Sequence, residues 1–162
     1  KAINFFANVK RFIFNICGYS ENDGDNDALK DYIASKKILN VHLMGRFSRE
    51  DKIDIYNETD LLLYYYESKF RYRYATANKY YDSLFYAVPC IVNKKTTIGS
   101  QMAKDGLGIP VALTSFHDKQ KIIDFYLTSD TKEYMLKRKD VMLNIIMEDD
   151  NVNKIIVDFL EK

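Results

Sequence analysis

The chain has 162 residues, 47% of them apolar and 29% charged, which suits about one domain with a full core and an ordinary solvated surface. A net charge of +1 supplies no global field to recruit nucleic acid or an anionic membrane. No apolar run reaches the roughly 18 residues of a membrane span, and residues 1–11 break their apolar positions with Asn and Lys, unlike a signal peptide.

Residues 1–10 read as the close of a helix that already needed a strand before it, and the first residue is Lys1 rather than Met, so a piece of a longer chain is expected. Residues 11–17 then read as a strand, 25–37 as a helix, 41–44 as a strand and 49–58 as a helix with Ser48 as its N-cap. Strand 61–66, helix 77–87, strand 90–93, helix 98–104 and strand 109–113 continue the alternation, with Gly106 placed for a left-handed C-cap. The strands are near-continuous apolar runs, as in a parallel sheet covered on both faces. Residues 116–127, 131–147 and 151–162 read as three closing helices. The expectation is an α/β fold with right-handed crossovers: residues 1–113 as a Rossmann-like core lacking its first strand and phosphate turn, and residues 114–162 as helices packed on it.

Cys17 and Cys90 lie in the apolar runs FIFNIC and PCIV and read as reduced core thiols. His42 and His117 have no Cys or His at ligand spacing, so neither a metal nor a cofactor is expected, and the setting reads as cytoplasmic.

The richest chemistry lies between Tyr64 and Tyr86, which holds eight of the 13 tyrosines, while residues 67–79 carry Lys69, Arg71, Arg73 and Lys79 against one anion, Glu67. A basic, aromatic loop at the carboxyl end of a strand is where an open α/β sheet binds ligands; the plainer alternative is a solvated loop with tyrosines over the sheet edge. Thr76 is placed as the N-cap of the next helix, which leaves the amides of Ala77, Asn78 and Lys79 for an anion. Lys79 opposes the helix dipole there, which makes sense if a diphosphate neutralises it. Asp82 shares a face with Asn78 and Lys79 at helical spacing; alternatively Lys79 and Asp82 are a surface ion pair worth a few tenths of a kcal/mol.

The run RYATANKYYDSLFYAVPCIV, residues 73–92, resembles the donor-site segment of family-4-like GT-B glycosyltransferases of bacterial polysaccharide synthesis: an Arg-Tyr pair, Asn-Lys, then an acid seven positions before a strand-opening Pro. Residues 14–18 resemble that family's strand ending in Gly. Residues 40–45 resemble its NV-x-x-x-G element, 56–62 its Y-x-x-x-D-L-x-L joint, and 96–108 its T-x-I-G … G-L-G stretch. The resemblance implies a C-terminal, donor-binding half of a GT-B fold that binds a UDP- or GDP-linked sugar and transfers it, with retention, to a hydroxyl acceptor. It implies Asp82 on the ribose hydroxyls, Asn78, Lys79 and the helix amides at the diphosphate, and Thr76, Tyr74 and Arg73 among the residues that bind the substrate. Lys79 would stabilise the leaving group. Gly18, Arg46 and Phe47 would lie beside the nucleotide, and Thr97, Gly99 and Ser100 near the donor sugar. The acceptor site, and any peripheral membrane association, would come from an N-terminal domain outside these residues, so this chain alone would bind without turnover.

Three positions depart from the pattern: Asp82 is shorter than the usual Glu, Ala87 stands where Gly is common, and Tyr74 stands where one branch carries an additional acid. A GT-B-type nucleotide-sugar epimerase fits the same residues. A single-stranded nucleic-acid module would use the tyrosines for stacking, against which the near-neutral charge argues. No Gly-x-Gly-x-x-Gly or P-loop is present.

Overall fold

The computed structural model describes residues 1–18, 20, 22–66, 74 and 78–160. Its elements run α1 (Ala2–Phe6), β1 (Phe14–Cys17), α2 (Asp23–Ser35), β2 (Val41–Gly45), α3 (Asp51–Asn57), β3 (Leu62–Tyr64), α4 (Asn78–Tyr86), β4 (Cys90–Val92), α5 (Thr97–Lys104), β5 (Gly108–Pro110), α6 (Phe116–Thr128) and α7 (Thr131–Leu160). The protein is mixed α/β, with two small parallel sheets, β1–β2 and β3–β4–β5. Among the described residues no helix is long and apolar enough to cross a membrane.

The chain divides into two compact units, the first Lys1–Tyr56 with Leu113–Ser115, the second Asn57–Ala112 with Phe116–Lys162. In the first, Phe6 is the hub of an aromatic cluster, its ring 4.9 Å from Phe5, 5.2 Å from Phe12 and 5.0 Å from Phe14. Two asparagines hold the surrounding backbone. Asn40 Nδ2 donates to the carbonyls of Phe6, Val9 and Phe12, and its Oδ1 accepts from the Asn8 amide at 2.6 Å. Asn8, in the left-handed region at φ +54°, accepts from the Leu39 amide and donates to the Lys37 carbonyl. The Asn of the NV-x-x-x-G element therefore has a structural duty: it satisfies carbonyls that no strand reaches. This loop also explains why β1 begins at Phe14 rather than Arg11. The Phe12 amide folds back on the Val9 carbonyl, and Phe14 is the first to pair, with the Asn40 carbonyl at 2.8 Å.

In the second unit β3, β4 and β5 pair in sequence order, Leu62–Tyr64 against Cys90–Val92 and that against Gly108–Pro110. Tyr64, Cys90 and Val92 meet Tyr80 and Leu84 of α4, Met102 of α5, and Leu107 in one core cluster, against which Tyr134, Val141, Met142 and Ile145 of α7 pack. Ile91 is buried on the opposite face, and α6 lies beside β5 with Ile122 fully buried. A central strand covered on both faces is what its unbroken apolar run anticipates, and each fully buried side chain of this size contributes about 1.5–3 kcal/mol. Burial pushes the Cys90 thiol up to about 12, as for an inert core thiol, and also raises the Tyr80 and Tyr134 hydroxyls.

Three helices leave their last turn in the same way. Ile38, Val88 and Leu107 donate back to the carbonyls of Ile33, Ser83 and Met102, across left-handed residues Lys37, Ala87 and Gly106. Gly106 is where the sequence places it. Ala87 carries a Cβ in this conformation, at φ +59°, and α4 has an extra support: Arg138 of α7 donates to the carbonyls of Leu84 and Phe85. Helix α7 corrects the expectation of two helices, 131–147 and 151–162, because it runs unbroken through Glu148–Asn151. Those residues are polar but include neither Gly nor Pro, so nothing there ends a helix.

Candidate functional site

Because the strands of the second unit are parallel, α4 and α5 both begin at the carboxyl edge of β3–β4–β5, the edge where α/β sheets place their ligands. In neither sheet does strand order reverse, so among the described residues the edge is built from two successive corners rather than from a switch point. Side chains stitch that edge together. Asn93, buried after β4, donates from Nδ2 to the Tyr66 carbonyl at 2.8 Å, and Tyr65 Oη donates to the Ala112 carbonyl at 2.8 Å. The ends of all three strands are thus fixed relative to one another.

The β4–α5 corner, NKKTTIGS, is the most closely fitted part of this edge. The Asn93 carbonyl accepts from the amide of Thr96 at 3.0 Å and from its hydroxyl at 2.8 Å, while Asn93 Oδ1 accepts from the Lys95 amide at 3.1 Å. Thr96 caps α5, its Oγ1 accepting from the Gly99 amide at 3.2 Å. Gly99 is required by contact: a Cβ there would lie 2.3 Å from the Asn93 carbonyl oxygen and 2.6 Å from Thr96 Oγ1. The Ser100 amide goes to the Thr96 carbonyl, which leaves the amides of Thr97 and Ile98 as first-turn donors with no partner among the described residues. The first turn holds no acid, and Lys94, Lys95, Thr97, Ser100 and Lys104 line an open cavity of about 630 Å³ beside it.

Of the residues marked from sequence, Asn78 and Lys79 are exposed at the start of α4, and Asp82, half-buried, is one turn further along. Thr97 and Ser100 are exposed in the first turn of α5, where Gly99 is the packing residue of the corner. The helix begins one residue earlier than expected, at Thr97, and Thr96 is its cap. Tyr74 is exposed, whereas Arg73 and Thr76 lie outside the described residues. Gly18, Arg46 and Phe47 belong to the first unit, where Gly18 donates to the Gly45 carbonyl at 2.7 Å and Arg46 and Phe47 are exposed.

Sequence reasoning overlooked Lys94 and Lys95. The available signal was two adjacent cations directly after a buried strand, in the turn that opens a helix. The first unit also carries an open groove of about 710 Å³ between α2 and β2, lined by Lys30, Ile33, Ala34, Leu43 and Met44 among others, which gathers no cluster of like charge. Among the described residues no three His, Cys, Asp or Glu side chains come together as metal ligands. No family model, curated protein or solved structure matches the chain significantly, so its sequence and geometry alone bear on its function.

Proposed function

We propose that the chain is the donor-binding half of a glycosyltransferase of GT-B architecture, with a Rossmann-like core that holds a UDP- or GDP-linked sugar for transfer to a hydroxyl acceptor in polysaccharide synthesis. The observation that carries this reading is the presence of two cationic helix starts at the carboxyl edge of one parallel sheet. These are Asn78 and Lys79 opening α4, and Thr97 to Ser100 behind Lys94 and Lys95 opening α5. Each start offers amides and ammonium groups to phosphate oxygens, and the helix dipole adds to both. Asp82 sits one turn from Asn78 on the same helix and, in this reading, accepts from the ribose hydroxyls. Lys79 would act by stabilising the departing diphosphate rather than as a nucleophile. The acceptor would be held by a second domain, so the isolated chain binds donor without transferring sugar.

The test is calorimetric titration of UDP-, GDP-, ADP- and CMP-linked sugars into the chain and into its Asp82→Ala and Lys79→Ala variants. One nucleotide class should bind, and either substitution should weaken it about ten- to a hundredfold, the value of one charged hydrogen bond. Binding by no member of the panel, or binding indifferent to both substitutions, sinks the proposal.

A further inference from the structure

Helix α7 carries an apolar face that its own fold does not use. Tyr134, Arg138, Val141, Met142 and Ile145 form the face directed at the body of the second unit. On the other side of the helix, positions 136, 139, 143, 146, 150, 153 and 157 follow one another at alternating steps of three and four, a heptad seam of three repeats. Leu136, Leu143, Ile146 and Val157 on that seam are all exposed, with Lys139, Asp150 and Asn153 as its polar positions.

The charges indicate what covers the seam. Residues 131–145 carry a net +2, from Lys132, Lys137, Arg138 and Lys139 against Glu133 and Asp140. Residues 146–160 carry a net −3, from Glu148, Asp149, Asp150 and Asp158 against Lys154. Both halves run against the helix's own dipole, which prefers acids at its start and bases at its end. A second α7 laid antiparallel sets each basic half beside an acidic one and opposes the two dipoles. A parallel mate sets like beside like.

We propose that the chain forms a two-fold homodimer through antiparallel α7 helices. The register that matches the seam puts Leu143 against the partner's Ile146, and Lys139 against the partner's Asp150, each pair occurring twice by symmetry. The stripe facing the body lies on the opposite side of the helix, so the mate docks without displacing the core. A single helix pair is a small interface by the standards of stable complexes, so the dimer exchanges with monomer and its population depends on concentration.

Sedimentation equilibrium of the full 162-residue chain over a concentration series measures this. The expected result is a reversible monomer–dimer equilibrium that Leu143→Glu abolishes with an unchanged circular-dichroism spectrum, since Leu143 is exposed. Lys139→Asp should weaken the dimer about tenfold or more by setting acid against acid in both symmetric pairs, and adding Asp150→Lys to it should restore the dimer. In the wild type, zero-length carbodiimide coupling should join Lys139 to Asp150 in the dimer band. Within one helix these residues are eleven positions and about 16 Å apart, too far for such a link. A chain that is monomeric at every concentration overturns the proposal, as does a dimer that the charge swap leaves unchanged.

Discussion

The molecule builds two strand-to-helix corners by opposite means. At the β1–α2 corner side chains do the closing: the Ser20 amide donates to Asn26 Oδ1 at 3.1 Å, Asn26 Nδ2 returns to the Ser20 carbonyl, and Ser20 Oγ and Asn22 Nδ2 both donate to Asp25. The helix start is thereby supplied with a carboxylate of the protein's own, that of Asp25. At the β4–α5 corner the backbone does the closing, around the Asn93 carbonyl and a glycine with no room for a Cβ, and the nearby charges are cations. A helix start that already holds its own anions has little attraction left for another, whereas one flanked by lysines and short of acids retains it. Of these two corners, only the second is electrostatically open to phosphate.

The largest expected effect comes from giving each corner a methyl group. Gly99→Ala forces a Cβ to 2.3 Å from the Asn93 carbonyl oxygen, so the turn must open, and the cost should be about 1–3 kcal/mol in urea unfolding. Gly24, in the first turn of α2, meets nothing within 4 Å and has ordinary helical backbone. Gly24→Ala should therefore stabilise, by a few tenths to about 1 kcal/mol, because alanine loses less entropy in a helix. Equal effects of the two substitutions would remove the distinction between a corner fixed by contact and one fixed by side chains.

The exits of the helices sharpen the same contrast, since the backbone pattern there is shared and the residue differs. Gly106 adopts the left-handed region freely, while Ala87 at φ +59° pays for its Cβ. Ala87→Gly should raise stability by about 0.5–1 kcal/mol, the relieved strain outweighing the added freedom of the unfolded chain. Differential scanning calorimetry would read this as a raised Tm. A fall would mean that Arg138, which donates to the carbonyls of Leu84 and Phe85, already holds the turn without strain.

What could be read from the sequence follows from the same physics. The centres of β1 to β4 were readable because each lies in an apolar run, whereas β5, expected at 109–113, pairs only over Gly108–Pro110; Ser48 and Gly106 were readable because caps are local. Strand ends were not, because β1 starts only where the distant Asn40 releases the backbone. The site was half readable. Asn78, Lys79 and Asp82 share one helix and so reveal their common face by spacing, whereas Lys94 and Lys95 acquire meaning only once β4 is known to be the central strand of its sheet. The unbroken α7 was missed because the polar run at 148–150 interrupts the apolar spacing by which a helix is read. Splitting the helix there also hid the seam that crosses the split.

The smallest effect concerns a third corner, between β2 and α3, which is closed by side chains like the first. The Ser48 amide donates to Asp51 Oδ2 at 2.7 Å, and the Asp51 amide donates to Ser48 Oγ at 3.2 Å, a reciprocal capping box. The Ser48 amide, and after it the Ser48 hydroxyl, hold the Asp51 carboxyl below its ordinary value. A carboxyl lowered in the folded state contributes stability that is present above its unfolded value, near 3.9, and is lost as pH falls through the folded one. Amide exchange at the start of α3 should therefore accelerate below about pH 4, and Ser48→Ala should reduce that dependence by removing the hydroxyl contribution. The start of α5 should show no such step, because Thr96, its cap, does not titrate. An acid-dependent opening at α5 as large as at α3 would mean that carboxylates reach the basic corner after all, and that its lysines are already neutralised within the chain.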